Sequence, residues 1–349
     1  MAYTTIDDPS AYFQTTTYTG DGNDDRQVTN SGNSDLQPDW IWVKNRSDAF
    51  NHILQDTSRG LTTGGYLASN QTQAESGATT VLIKTATSNG FTVGTSGAVN
   101  ANTDNLVAWQ WKANAGSTSS NTDGSITSTV QANTTAGFSI VTYTGTGSAS
   151  TVGHGLGVAP KMLIVKERDN ANDWKVYHHS IGNDKTVRLD TTDAQTSDTT
   201  TFNSTTPTSS VFSVNSNATN RNGGGIVAYC FAEIEGYSKF GSYTGNGSSD
   251  GPFVYTGFRP AWLMIKRTDS ANTWYIWDNK RNTFNVCNKE LRANTTDAET
   301  TTDKLDFLSN GFKIRATFSS LNASGGTYIF MCFASNPFVS STSIPVTAR

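Results

Sequence analysis

The strongest constraint on what this chain can fold into is that it repeats itself. The stretch Pro260-Ala-Trp-Leu-Met-Ile-Lys266, continuing through Arg267-Thr-Asp-Ser-Ala-Asn-Thr-Trp274, has a counterpart in Pro160-Lys-Met-Leu-Ile-Val-Lys166 with Glu167-Arg-Asp-Asn-Ala-Asn-Asp-Trp174. An earlier copy reads Pro38-Asp-Trp-Ile-Trp-Val-Lys44 and then Asn45-Arg-Ser-Asp-Ala49. A position shared by copies is read first as serving the fold, and only then as chemistry. On that ground Pro38, Lys44, Pro160, Lys166, Trp174, Pro260, Lys266 and Trp274 are assigned as structural repeat positions.

Other landmarks keep step with these. Tyr18-Thr-Gly-Asp-Gly22, Tyr143-Thr-Gly-Thr-Gly147 and Tyr243-Thr-Gly-Asn-Gly247 precede the prolines by 20, 17 and 17 residues, and Phe91, Phe212 and Phe312 follow the lysines by 47, 46 and 46. Each copy ends on an apolar aromatic strand: Leu106 to Trp111, Ile226 to Phe231 and Tyr328 to Phe333. The opening Tyr-Thr followed by Gly-x-Gly marks a strand running into a turn, since Gly tolerates a left-handed backbone. Charged residues are only 15% of the chain, against about 25% in a typical soluble domain. Thr, Ser, Asn and Gly fill the polar positions instead, a bias toward pleated surfaces and tight turns. The fold class is therefore read as all-β: three tandem antiparallel sandwiches of about seven strands each.

Along the chain this places an arm at 1–17, sandwiches at 18–112, 138–236 and 237–335, a flexible Ser, Thr, Gly and Asn linker with an extra strand at 113–137, and an extended tail at 336–349. The short join after Phe231 predicts that the second and third units pack rigidly, with the first held less directly. Alternation sends Ile41 and Val43, Leu163 and Val165, Leu263 and Ile265 to one face of the proline strand. Trp40 and Trp42, Met162 and Ile164, Trp262 and Met264 take the other, so both faces are expected to be covered. The lysine is expected to lay its stem over the tryptophan or methionine and lift its ammonium to the sheet end. His52 stands where the other copies have Trp174 and Trp274. The loops Asn70 to Glu75, Asp190 to Gln195 and Asn294 to Glu299 read as turns.

These motifs, with Ile226-Val-Ala-Tyr-Cys-Phe-Ala-Glu-Ile-Glu-Gly-Tyr-Ser-Lys-Phe-Gly241 and the ending Ile344-Pro-Val-Thr-Ala-Arg349, resemble a family of repetitive virion proteins of tailed phages, particularly marine phages of cyanobacteria and other ocean bacteria. The resemblance covers nearly the whole chain. It implies a virion component assembled in the host cytoplasm, without implying where on the particle it sits.

The chemistry-bearing residues do not assemble into a known catalytic pattern. His178 and His179 are adjacent on a predicted strand and so point to opposite faces, and no zinc spacing surrounds His52 or His154. The Gly-x-Gly segments precede strands, not helices, which argues against a phosphate cradle. Asp169 and Asp269 are shared by two copies and read as turn residues, leaving glycoside hydrolysis without a distinctive acid pair. No nucleophile elbow occurs. The expectation is no catalytic, cofactor or metal site. A formal net charge of −4 without a basic stripe excludes a nucleic-acid footprint, and no apolar run is long enough for a membrane span. Cys230, Cys287 and Cys332 read as buried free thiols.

Function is thus expected to be structural: a non-enzymatic virion protein, tail-associated as a fibre, tip or adaptor, serving as a stiff spacer. Its partners would be other virion proteins and further copies of itself. Two alternatives are a host-glycan-binding or depolymerising tail protein, with tryptophans as sugar platforms, and a capsid decoration protein. Tyr12, Phe13 and Phe338 in the two terminal segments are the candidate interaction residues.

Overall fold

The structure, a computed structural model, describes residues 3–346; the last three residues of the Ile344–Arg349 ending lie outside it. The chain is all-β, and the same antiparallel four-strand order occurs in three sheets: opening strand, closing strand, proline strand, third strand. In the first sheet these are Phe13–Thr19, Asn105–Trp111, Trp40–Asn45 and Ile53–Asp56. The second has Phe138–Thr144, Gly225–Phe231, Met162–Glu167 and Lys175–His178, and the third Ser238–Thr244, Thr327–Pro337, Phe258–Arg267 and Trp274–Asp278.

A second layer covers the outer face of each sheet. In the first it is Arg26–Thr29, Gly90–Val93 and Ile83–Thr87, and in the second Ser150–Gly153 with Val211–Val214. In the third the main sheet itself continues through Cys287–Arg292, Thr300–Leu308, Gly311–Ile314 and Phe253–Tyr255. The expected seven strands occur in the first copy, while the second adds strands at both edges and the third forms one eight-stranded sheet. Each layered pair has its own core, with Ile41 and Val43, Leu163 and Val165, Leu263 and Ile265 inside.

The opposite faces do not meet loops or solvent. Trp40, Trp42, Met162, Ile164, Trp262 and Met264 belong to one common apolar cluster that also takes Trp109, Trp111, Tyr229, Phe231, Met331 and Phe333. Ring contacts cross every pair of sheets: Trp40 with Tyr229 at 4.2 Å, Trp111 with Trp262 at 5.7 Å, and Phe231 with Phe333 at 6.1 Å. Three sheets therefore stand around one axis, each with its inward face on the other two. This corrects the expected string of sandwiches with a loosely held first member, because the first sheet supplies Trp40, Trp42, Trp109 and Trp111 to the shared core.

The terminal and linking segments are ordered as well. Within the expected flexible linker, Ser119–Asn121 and Ser128–Asn133 join the second sheet. Its start is fixed by buried Asp39, whose carboxylate accepts from the Ala113, Ala115 and Gly116 amides. Phe13 to Thr17, placed in the arm on sequence, form most of the first strand. The arm proper lies on the third repeat and the join leading into it, with Thr4 donating to Glu235 O and Tyr3 to Gly257 O. The tail comes back beside it, as Ser341 N donates to Asp7.

Candidate functional site

The shared residues concentrate at the seams between sheets, and they do so cyclically. The start of each third strand carries a ring donor aimed at the preceding repeat: Trp174 Nε1 to Ala68 O at 2.9 Å, Trp274 Nε1 to Arg188 O at 2.7 Å, and His52 Nε2 to Arg292 O at 2.9 Å. The His52 tautomer follows from its neighbours. Trp42 Nε1 donates to Nδ1 at 2.7 Å, so the proton sits on Nε2. Burial pushes its pKa well below the ordinary value. His52 thus does for the first repeat what tryptophan does for the other two.

The polar loops read as plain turns are clasps. The backbone of Asn70 to Glu75 pairs with the turn of the second repeat, through Glu75 N to Arg168 O and Asn172 N to Thr72 O. Asp190 to Gln195 does the same to the third, through Gln195 N to Thr268 O and Asn272 N to Thr192 O, and Glu299 N reaches back to Arg46 O of the first. The three lysines sit at these junctions. Lys166 and Lys266 donate to Thr72 O and Thr192 O of the neighbouring clasp, and Lys44 to Asn45 O and Asp48 O of its own turn. All three are buried, and burial lowers each pKa to about 8. The ammonium groups reach the sheet end, as expected, but are enclosed there.

Two seams hold ion clusters that single-residue reading missed. Asp56 Oδ2 accepts from Tyr229 OH at 2.8 Å and pairs with Arg59 at 2.6 Å, and Arg59 continues to Glu75, whose second oxygen accepts from Arg168 Nε at 2.7 Å. Asp278 accepts from Trp109 Nε1 at 3.0 Å and pairs with Arg281 at 2.6 Å; Arg281 reaches Glu299, which grips Arg46 with both oxygens at 2.8 Å. The signal was present as Asp-x-x-Arg at equivalent positions, closed by the last residue of the polar loop. In the second repeat the same places hold His178, Ile181 and Gln195. There the contact is made by His178 Nε2 to Phe330 O at 3.2 Å, and burial drives the His178 pKa down to about 3.

At the lysine end of each sheet, the Tyr-Thr-Gly-x-Gly motif meets a short helical turn. Tyr18, Tyr143 and Tyr243 donate their hydroxyls to Val99 O, Thr219 O and Leu321 O. The next residue is in each case a buried Asn whose Oδ1 accepts a loop amide: Asn100 from Asp21, Asn220 from Thr146, Asn322 from Asn246. A Cβ on Gly20 would lie 1.9 Å from Ala101 O, and those on Gly145 and Gly245 would be nearly as close to Arg221 O and Ala323 O. Gly22, Gly147 and Gly247 have φ of 72°, 75° and 71°. The first glycine is thus required by close approach and the second by handedness.

The candidate interaction residues divide. Phe13 is buried against Trp111, Trp262 and Phe333, which corrects its placement on a free arm. Tyr12 is half-buried on Tyr237, and Phe338 is half-buried with its amide on Gly257 O. All eight tryptophans are fully buried, so the proposed sugar platforms are core residues. Pro38 and Pro160 precede their strands, while Pro260 sits two residues inside a longer one at a bulge. Cys230, Cys287 and Cys332 are buried free thiols. Among the described residues, no group of three or more His, Cys, Asp or Glu side chains is placed to hold a metal, and no helix is long and apolar enough to cross a membrane.

No curated protein and no solved structure matches the chain. A family model described as a domain of unknown function, DUF7483, matches residues 8–337, from the arm to the end of the last strand, and the chain belongs to that family.

Proposed function

We propose that the protein is a non-enzymatic structural component of a tailed-phage virion, tail-associated and acting through protein–protein assembly. The observation that carries the non-enzymatic part is the orientation of the shared polar groups. The lysines, the ring donors, the Asp-Arg-Glu clusters and the Tyr-Asn pairs face neighbouring repeats or loops, where each is engaged by a named partner. Buried charges held this way specify an arrangement of parts; they do not wait for a substrate. The virion part rests on the sequence resemblance. Because the three sheets close on one another, the working shape is a compact three-sided block, not an elongated spacer, and contacts with other virion proteins or further copies fall to surfaces outside the seams.

Mass spectrometry of purified particles together with gold-labelled antibody imaging tests this. The protein is expected at the tail in stoichiometric amount; absence from washed virions defeats the proposal, and label confined to the capsid replaces the tail with a decoration role.

A further inference from the structure

The third repeat departs from the others beyond its Trp262 end. Its proline strand starts four residues earlier than Trp262, and its closing strand runs four residues past Phe333, adding the cross-strand pairs Phe258 with Pro337 and Arg259 with Asn336. The first two copies end their central strands at the equivalents of Trp262 and Phe333. This extension, with the hairpin turn at Leu308 to Asn310, bounds a cavity of about 710 Å³, a volume within the usual range for small-ligand sites.

We propose that this cavity binds a carboxylated saccharide. Arg259 supplies the cation: its Nε is enclosed without a hydrogen-bond partner, and no described residue forms an ion pair with its guanidinium. The neighbouring strand's Asp306 pairs with Arg315 through Oδ2, not with Arg259. A planar guanidinium left unpaired in a half-buried site is matched by a planar carboxylate, which it can grip with two parallel hydrogen bonds. The rest of the lining is neutral and amide-rich. Asn310 and Asn336 have side-chain amides unengaged by the described residues. Asn285 is held rigid by Phe307, giving its Nδ2 to Phe307 O at 2.8 Å and taking Phe307 N on Oδ1 at 2.9 Å. Its Oδ1 also accepts from Cys287 Sγ at 3.5 Å, which leaves one N–H on Asn285 for a ligand. Both donors and acceptors are thus offered around a single cation, the pattern a hydroxyl-bearing acid needs. Leu308 and Val346 add apolar surface for the C–H face of a ring.

The test is calorimetric titration of the full chain with a glucuronate disaccharide, its neutral glucose counterpart and sodium sulfate. The acidic sugar should bind with a dissociation constant of about 1 mM or tighter, at least about tenfold more tightly than either control. Arg259→Gln should abolish that preference and Arg259→Lys restore part of it, with unchanged thermal midpoints. Should Arg259→Gln not fold, Asn336→Asp places a carboxylate beside the guanidinium and should weaken binding at least about tenfold. Equal binding of acidic and neutral sugars, sulfate as tight as the acidic sugar, or wild-type binding by the variants would overturn the proposal.

Discussion

At the residue scale the molecule is governed by ionisable groups kept out of water, and pH is the direct probe of them. Lys44, Lys166 and Lys266 have folded pKa values near 8 against an ordinary 10.5. Between those values the unfolded chain binds protons that the folded chain does not, so stability should rise as pH increases from about 8. The rise is overtaken near pH 10, where buried Tyr143 and half-buried Tyr243, whose pKa values are raised by desolvation, resist the ionisation available to the unfolded chain. Urea unfolding at pH 7.5, 8.5 and 9.5 should show the increase, and Lys266→Met should remove part of its slope. On the acid side His178 refuses a proton down to about pH 3. Below the ordinary value of 6.5 the unfolded chain gains stability relative to the folded one, and His178→Gln should flatten that limb. The ion clusters give a third expectation. Asp278→Ala leaves Arg281 with Glu299 as its one carboxylate and the Trp109 indole N–H without its acceptor, and should cost about 3 kcal/mol, whereas the joint change Asp278→Ala with Arg281→Met should cost less than the single one, read by denaturant midpoints.

At the element scale the Gly-x-Gly loops and their helical turns form rigid corners. Gly145→Ala would press a methyl group onto Arg221 O and should destabilise by about 1–3 kcal/mol. Asn220→Ala leaves the Thr146 amide without its acceptor and should cost about 1–3 kcal/mol; both are measurable as shifts in thermal midpoint. These elements also show what the sequence made legible. Strand identity, the two faces of the proline strand and the corner glycines could be read because alternation and turn chemistry are local. The seam partners could not. Asp56 meets Tyr229 and Glu299 meets Arg46 only after three sheets have closed, so a polar loop such as Asn70 to Glu75 looks like any turn until its neighbour is in place. Phe13 was misplaced for the same reason: an aromatic near a terminus looks exposed when the core it enters belongs to another repeat. The Arg259 cavity was equally hidden, since it arises from strand extensions that no motif announces.

On the scale of the whole molecule, the shared aromatic core makes the three repeats one cooperative body. Trp40 touches Trp42, Trp111, Phe138, Tyr229 and Phe231, so Trp40→Ala should cost about 3–5 kcal/mol and lower the midpoint of a single calorimetric transition. A chain cut to residues 138–349 would bare the inward faces of two sheets, and it should bind a hydrophobic dye and lose the sharp transition; a fragment as stable and dye-free as the full chain would contradict a common core. The clasp between Glu299 and Arg46 joins residues 253 positions apart. During synthesis at about 5–20 residues per second, the first repeat therefore leaves the ribosome with its tryptophan face bare, and that face is fully covered only once the third has been made. The nascent chain should therefore bind chaperones that hold apolar surface, and a ribosome stalled after the second repeat should present a sticky half-shell instead of two finished domains.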